Sequence, residues 1–250
     1  MDRAIYTALG AANAALNRQA VTANNLANVS TSGFRAQLAA FRAIPVEGPS
    51  LATRTLVTAS TPYSDDSVGT VSQTGRSLDV ALPQNGWLAV QLPDGSEAYT
   101  RNGNIEVGSE GQLSVRGLPL MGDGGPITVP PQSEITLAPD GAITARGAGD
   151  RATALAQVGK LKLVNADQKI LKNGDDGLFH VDAAANGGNP TLQADESVRI
   201  MPGALEGSNV SPVKSMVEMI ANARSFDMQM KVITTVDDNE KNANQLLSLS

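Results

Sequence analysis

The 250-residue chain contains no cysteine and only one histidine, His180. Without cysteine there are no disulfides, no thiolate metal sites and no cysteine nucleophile. One histidine rules out a histidine-cluster metal centre and leaves little base chemistry. Surplus cation is missing as well, since 19 Lys+Arg stand against 25 Asp+Glu for a net charge of −6. Nothing is left over to neutralise phosphates, which argues against nucleic acid as a partner. No stretch approaches the ~18 apolar residues of a membrane span, so no direct membrane insertion is expected. Thr7, Asn13 and Asn17 break the N-terminal apolar runs before they reach the length of a cleavable signal.

Catalytic motifs are equally scarce. There is no phosphate-binding loop, and Gly122-Asp123-Gly124-Gly125 does not continue into a dinucleotide fingerprint. Ser211 and Lys214 have the spacing of a Ser-x-x-Lys nucleophile motif, but its companion motifs do not follow, and Ser211 reads more simply as a helix cap. Asp175-Asp176 and Asp237-Asp238 are adjacent pairs, which neither a strand nor a helix aims at one substrate. No serine or carboxylate is fixed beside His180 by sequence, so it reads as a surface or strand-packing residue. The expectation is no catalytic residue, no cofactor, no metal and no small-molecule substrate.

Glycine and proline are present but unevenly placed. Of 24 Gly and 13 Pro, residues 1–45 hold only Gly10, Gly33 and Pro45, and residues 206–250 only Gly207 and Pro212. A turn-rich middle between two breaker-poor ends predicts an α+β chain, with long coiled-coil-like N- and C-terminal helices flanking a central antiparallel β domain. Four segments follow: an N-terminal helix and turn over 1–45, an extended connector over 46–77, a β-rich body over 78–205 and a C-terminal helix over 206–250.

The first helix is expected to begin after Asp2. Ile5, Leu9, Ala12, Leu16, Ala23 and Leu26 recur at 3–4 spacing, with Gln19 at the one missing position, which is the seam of a coiled coil. Asn28 to Gly33 reads as a turn. Phe34, Leu38 and Phe41 then suggest a short second helix ending before Pro45. At the other end Ser211 caps, Pro212 takes the first helical position, and no Gly or Pro follows to Leu249. Met219, Ala223, Phe226, Met230, Ile233, Val236, Ala243 and Leu247 again step by 3–4, with Glu240 interrupting. Each end therefore carries one apolar stripe for mutual pairing or for neighbouring subunits.

In the middle, Leu78 to Leu82 alternates, Trp87 to Leu92 is a short strand closed by Pro93-Asp94-Gly95, and Ile135 to Thr144 forms a hairpin around Asp140-Gly141. Gly159 to Val164 and Leu178 to Val181 add strands.

Several of these blocks carry a family resemblance. Ala23-Asn24-Asn25-Leu26-Ala27-Asn28-Val29-Ser30-Thr31-Ser32-Gly33-Phe34-Arg35 resembles the N-terminal signature of the flagellar axial proteins, the rod and hook family. Glu206-Gly207-Ser208-Asn209-Val210, followed by Met219 to Phe226 and Lys231 to Thr235, is similar to the family's C-terminal helix. Leu78 to Ala81, Gly86 to Val90, Tyr99 to Asn104 and Gly125 to Pro130 resemble its β-domain blocks. The opening Met1 to Ala8 and the length resemble those of a proximal-rod member. Gly86-Trp87-Leu88 and Ala223-Arg224 differ from the distal-rod pattern.

The resemblance implies a structural subunit of the basal-body rod, polymerising through its terminal helices to transmit torque in flagellum-dependent motility. It implies export by the flagellar type III apparatus without a cleaved signal, and a place in the rod that crosses the periplasm. Its partners would be itself, other proximal- and distal-rod subunits, and that export apparatus. The assembly residues would be Ile5, Leu9, Leu16, Asn24, Asn25, Leu26, Asn28, Phe34, Met219, Phe226, Met230, Ile233 and Leu247. Asn24, Asn25 and Asn28 either fix helix register by side-chain hydrogen bonds or serve turn and helix-end chemistry. Alternatives are a distal-rod or other hook-family subunit, or a secreted oligomeric β-rich binding protein with a ligand cleft in 78–205. A hydrolase using His180 is the weakest reading.

Overall fold

The computed structural model describes residues 2–45, 55–59, 63–83, 85–147, 156–167, 169–174 and 176–248. The chain divides into two compact units that do not follow chain order. One comprises Met1–Val29, Gln37–Tyr63 and Val210–Ser250, and the other Ser30–Ala36 and Ser64–Asn209.

The first unit is built on two helices, α1 (Asp2–Ala27, 26 residues) and α2 (Pro212–Ser248, 37 residues). Alanine, leucine, arginine and glutamine give α1 its intrinsic preference for helix. At the start of α2 the Ser211 carbonyl accepts the Ser215 N–H at 3.0 Å, and Pro212 needs no donor there. At ~1.5 Å per residue α2 spans roughly 55 Å. Thr22 near the end of α1 lies 3.4 Å from the Asn222 amide, ten residues into α2. Burial of Ala8, Ala12 and Ala15 requires α2 to run back along α1, antiparallel to it.

The short second helix expected through Phe34, Leu38 and Phe41 does not form. Gln37–Leu38 and Phe41–Pro45 are strands, and Phe41–Pro45 pairs antiparallel with Thr55–Ala59. Arg18 of α1 places its guanidinium 4.5 Å from the Phe41 ring. The 3–4 spacing is outweighed by a non-local strand partner and by this cation–π contact. Of the connector expected over 46–77, residues 46–54 and 60–62 lie outside the described residues. Thr55–Ala59 and Val71–Gln73 are both paired strands.

The second unit is antiparallel throughout its strand pairings. Its largest sheet has the order Leu163–Asn165, Gly86–Gln91, Glu97–Thr100, Phe179–Val181, Leu171–Asn173. Gly86–Gln91 is an interior strand, and both of its faces are covered. Leu88 and Val90 enter a core with Ile105, Leu113, Leu120, Ile143 and Leu161. Trp87 and Ala89 face Tyr99, Val164 and Phe179, with the Trp87 and Phe179 rings 4.5 Å apart. The expected hairpin at Asp140-Gly141 is present as Glu134–Leu137 against Ala142–Arg146, turning at Gly141 with φ +84°. The single strand expected over Gly159 to Val164 is instead two, Ala156–Lys160 and Leu163–Asn165, in different sheets. Between them Leu161 bridges to Gly122, and Lys162 bonds Glu97 at 2.7 Å.

Candidate assembly surface

The sequence places the first-helix seam on its largest apolar residues, and the structure places it elsewhere. Ala8, Ala12, Ala15 and Thr22 form one buried line of α1, with Gln19 between them half-buried, and Ala14 is buried beside that line. At 100° per residue this line is rotated about 50° from the expected one. Ile5 and Leu26 stay half-buried at its margin, whereas Leu9 and Leu16 are 46% and 49% exposed. The physical reason is size. Alanine and threonine let two helix backbones approach closely, and leucine at those positions would hold them apart. The large side chains are left outside, with Tyr6 beside them.

On α2 the expected stripe holds better. Met219, Phe226, Ile233 and Val236 are half-buried on one line with Ser215 and Asn222, while Met230 is exposed. Leu247 falls among residues whose side chains lie outside those described. A second apolar patch, not anticipated, covers the first turns of α2, where Val213, Met216, Val217 and Ile220 are all exposed. Their i, i+3, i+4, i+7 spacing was legible in the sequence. Further along, Met228, Val232 and Leu246 are exposed too.

The asparagines divide. Asn28 donates its side-chain amide to the Asn24 carbonyl at 3.0 Å, which is helix-end chemistry. Asn25 does something else. Its amide donates to the Gln37 carbonyl and its oxygen accepts the Gln37 N–H, both at 2.8 Å, so one side chain imitates a strand partner. The Asn24 side chain is exposed. Phe34 is half-buried in the second unit, where its carbonyl accepts the Asn209 N–H.

Sequence reasoning missed a buried charge cluster in the second unit. Glu206 lies between Arg35 and Arg101, and all three are 1% exposed. Glu206 Oε1 is 2.9 Å from Arg35 Nη2 and accepts the Gly69 N–H at 3.0 Å. Its Oε2 accepts Arg101 Nη2 at 2.5 Å and Nε at 3.0 Å. Arg101 also donates to the carbonyls of Leu82, Pro83 and Gly86, and its guanidinium lies 5.4 Å from the Trp87 ring centroid. Arg35 donates to the Ser67 carbonyl. Burial, followed by the neighbouring Arg101 charge, pushes the Arg35 guanidinium below its ordinary pKa. Asn209 completes the region, accepting the Ala36 N–H at 2.7 Å and donating to the carbonyls of Asp65 and Ser67. The available signal was that Arg35, Arg101, Glu206 and Asn209 all fall inside blocks that resemble the rod and hook family.

His180 does have a carboxylate neighbour. Its Nε2 is 3.0 Å from Asp176 Oδ2, and Asp176 Oδ1 accepts the Leu178 N–H. The Asp176–Gly177 turn folds Phe179–Val181 back on Leu171–Asn173 and so brings the two side chains together. The ring is half-exposed. A polar hollow of about 490 Å³ lies beside Asn165, Asn189, Gln193 and Asp195, open to solvent and with little apolar lining. Among the described residues no group of three or more His, Asp or Glu is placed to hold a metal ion, and no helix is long and apolar enough to cross a membrane.

Three segments match family models: residues 5–35 match flagella basal body rod protein, 81–145 the flagellar hook protein FlgE/F/G D1 domain, and 201–246 the flagellar basal body rod FlgEFG protein C-terminal region. With the paired terminal helices and antiparallel body, these define a flagellar axial protein of the rod and hook class. Over its whole length the chain is 62% identical to the flagellar basal-body rod protein FlgF of Salmonella typhimurium LT2 and 60% identical to that of Escherichia coli K12, all of each chain being covered. The flagellar basal-body rod protein FlgG of Buchnera aphidicola subsp. Acyrthosiphon pisum is 31% identical over 90% of this chain and 92% of its own. The chain belongs to the family of the flagellar basal-body rod protein FlgF, whose members are structural proteins of the rod.

Proposed function

We propose that the chain is a structural subunit of the flagellar basal-body rod, of the proximal kind, built in through α1 and α2 and carrying torque by rigid packing rather than by any catalysis. The observation that carries this reading is the split of each terminal helix into two faces. The inner face pairs within the chain, through small residues on α1 and through Met219, Phe226, Ile233 and Val236 on α2, and the other leaves Leu9 and Leu16 on α1, and Val213, Met216, Val217 and Ile220 on α2, in solvent. Such a stripe is what a neighbouring subunit covers, and burying each side chain fully is worth about 1.5–3 kcal/mol. Contacts of this kind between unlike faces repeat head to tail and give an open filament rather than a closed ring. Of the expected assembly residues, Leu9, Leu16 and Met230 belong to the outward faces. Ile5, Leu26, Met219, Phe226 and Ile233 order the helix pair itself. Asn25 and Asn28 hold the end of α1.

The partners of this reading are further copies of the chain and other proximal- and distal-rod subunits. Export by the flagellar type III apparatus, and residence in the rod across the periplasm, complete it. Deleting the gene in its native bacterium and examining basal bodies by electron microscopy tests it. Rods missing or arrested before the hook, restored by complementation, are the expected result. Complete rods and hooks on the deletion strain would remove the reading.

A further inference from the structure

The buried cluster is unbalanced, with one carboxylate between two guanidiniums, and its two halves are not held equally. Arg101 keeps three carbonyl partners and the Trp87 ring without any help from Glu206. Arg35 donates to the Ser67 carbonyl and its Nη2 lies 2.9 Å from Glu206 Oε1 as an ion pair, while neither Nε nor Nη2 makes a hydrogen bond among the described residues. Asp65 and Asp66 add only a weaker favourable field. The segment Ser30–Ala36 is joined to the unit at the same place, since the Gly33 N–H donates to the Glu206 carbonyl at 2.8 Å. Gly33 also leaves no room for adjustment. A Cβ there would lie 2.4 Å from the Arg101 carbonyl. Next along the chain, Gly207 donates its N–H to Thr70 at 2.8 Å.

We propose that Glu206 is a fold-completion latch, whose single carboxylate neutralises Arg35 and Arg101 together and thereby fixes Ser30–Ala36 and the strand Ala204–Glu206 to the β unit at the same moment. Glu206 follows Arg101 by 105 positions, so Arg35 has no counter-charge in the cluster until the chain as far as Glu206 is in place. Without that carboxylate a buried guanidinium is left unpaired, which is far more costly than a lost hydrogen bond. Because Arg101 is anchored separately, the opening is confined to the Arg35 side and leaves the five-stranded sheet closed. This inference does not depend on the rod reading.

The test is hydrogen exchange on the full-length protein and its Glu206→Gln variant. Exchange at Gly33, Gly69 and Gly207 should accelerate roughly tenfold or more, while Leu88 and Tyr99 in the sheet stay within about twofold. Adding Arg35→Met removes the unpaired cation, so the double variant should exchange more slowly at those glycines than Glu206→Gln alone. Equal acceleration in the sheet, no acceleration at the glycines, or a double variant as open as the single overturns the latch. If Glu206→Gln does not fold, recovery of folding in the double variant supports the proposal, and failure of both overturns it.

Discussion

Leu16→Asp separates the chain's own stability from its assembly. Leu16 is 49% exposed on α1, beside the alanine seam rather than in it. An aspartate there gives up some helix propensity and part of one contact, so the free subunit should lose no more than about 1 kcal/mol. A neighbour that covers this face would bury the other half of the leucine, worth about 1 kcal/mol. The variant would forfeit that and would also bring an unpaired carboxylate into the contact, whose desolvation adds about 2–3 kcal/mol. Together these weaken each subunit contact by roughly a hundredfold to a thousandfold. The assay is soft-agar swimming of a deletion strain carrying the variant, with circular-dichroism melting of the purified protein alongside. Lost or strongly reduced swimming with a nearly unchanged melting curve is expected. Normal swimming, with the variant present in purified basal bodies, would refute the claim that the outward stripe is an interface.

Two further substitutions probe the units separately. A Cβ at Gly103 would sit 1.7 Å from the Val80 carbonyl oxygen, a backbone atom that cannot swing aside. Gly103→Ala should therefore destabilise the β unit by about 3 kcal/mol, and an unchanged urea midpoint would show that the backbone yields more easily than this contact implies. Asn25→Ala removes both 2.8 Å hydrogen bonds to Gln37. It should lower stability by about 1–2 kcal/mol and speed exchange of the Gln37 amide, with α1 helicity retained. An unaltered exchange rate at Gln37 would mean that the asparagine does not hold that strand.

The parts of this molecule that could be read in advance are those written locally. Pro212 after Ser211, with no glycine or proline for the rest of the chain, marks the start of α2 within one residue. Asp140-Gly141 between alternating segments marks the hairpin it forms, because the positive φ at Gly141 is a demand on that residue alone. The misreadings are all non-local. Phe34, Leu38 and Phe41 have a helical rhythm, and non-local partners, the strand Thr55–Ala59 and the Asn25 side chain among them, make strands of Gln37–Leu38 and Phe41–Pro45. Gly159 to Val164 is a continuous run that two different sheets divide between them. The Arg35–Glu206–Arg101 cluster joins residues that sequence spacing cannot bring together, although each lies in one of the three segments matching flagellar family models.

The misplaced seam on α1 carries the most functional weight. A reader of the sequence assigns the largest apolar residues to the inside, because burying leucine gains more than burying alanine. In a monomer that must satisfy itself, that assignment is sound. Here it is off by about 50° of helix rotation, and the displacement runs from Leu9 and Leu16 toward Ala8 and Ala15. A pair of helices that closed on its leucines would have little left to offer a neighbour. Closing on alanine and threonine instead secures a tight helix pair from residues of small transfer energy and keeps the larger side chains outward. The α1 side of the pair thereby contributes only modest stabilisation, since each seam alanine carries little apolar area, and the larger inward side chains, Met219, Phe226 and Ile233, come from α2. The pair's remaining stabilisation is held in side chains that only another molecule can bury. A chain arranged this way is most stable when covered along its length, which is the condition a subunit meets inside a rod.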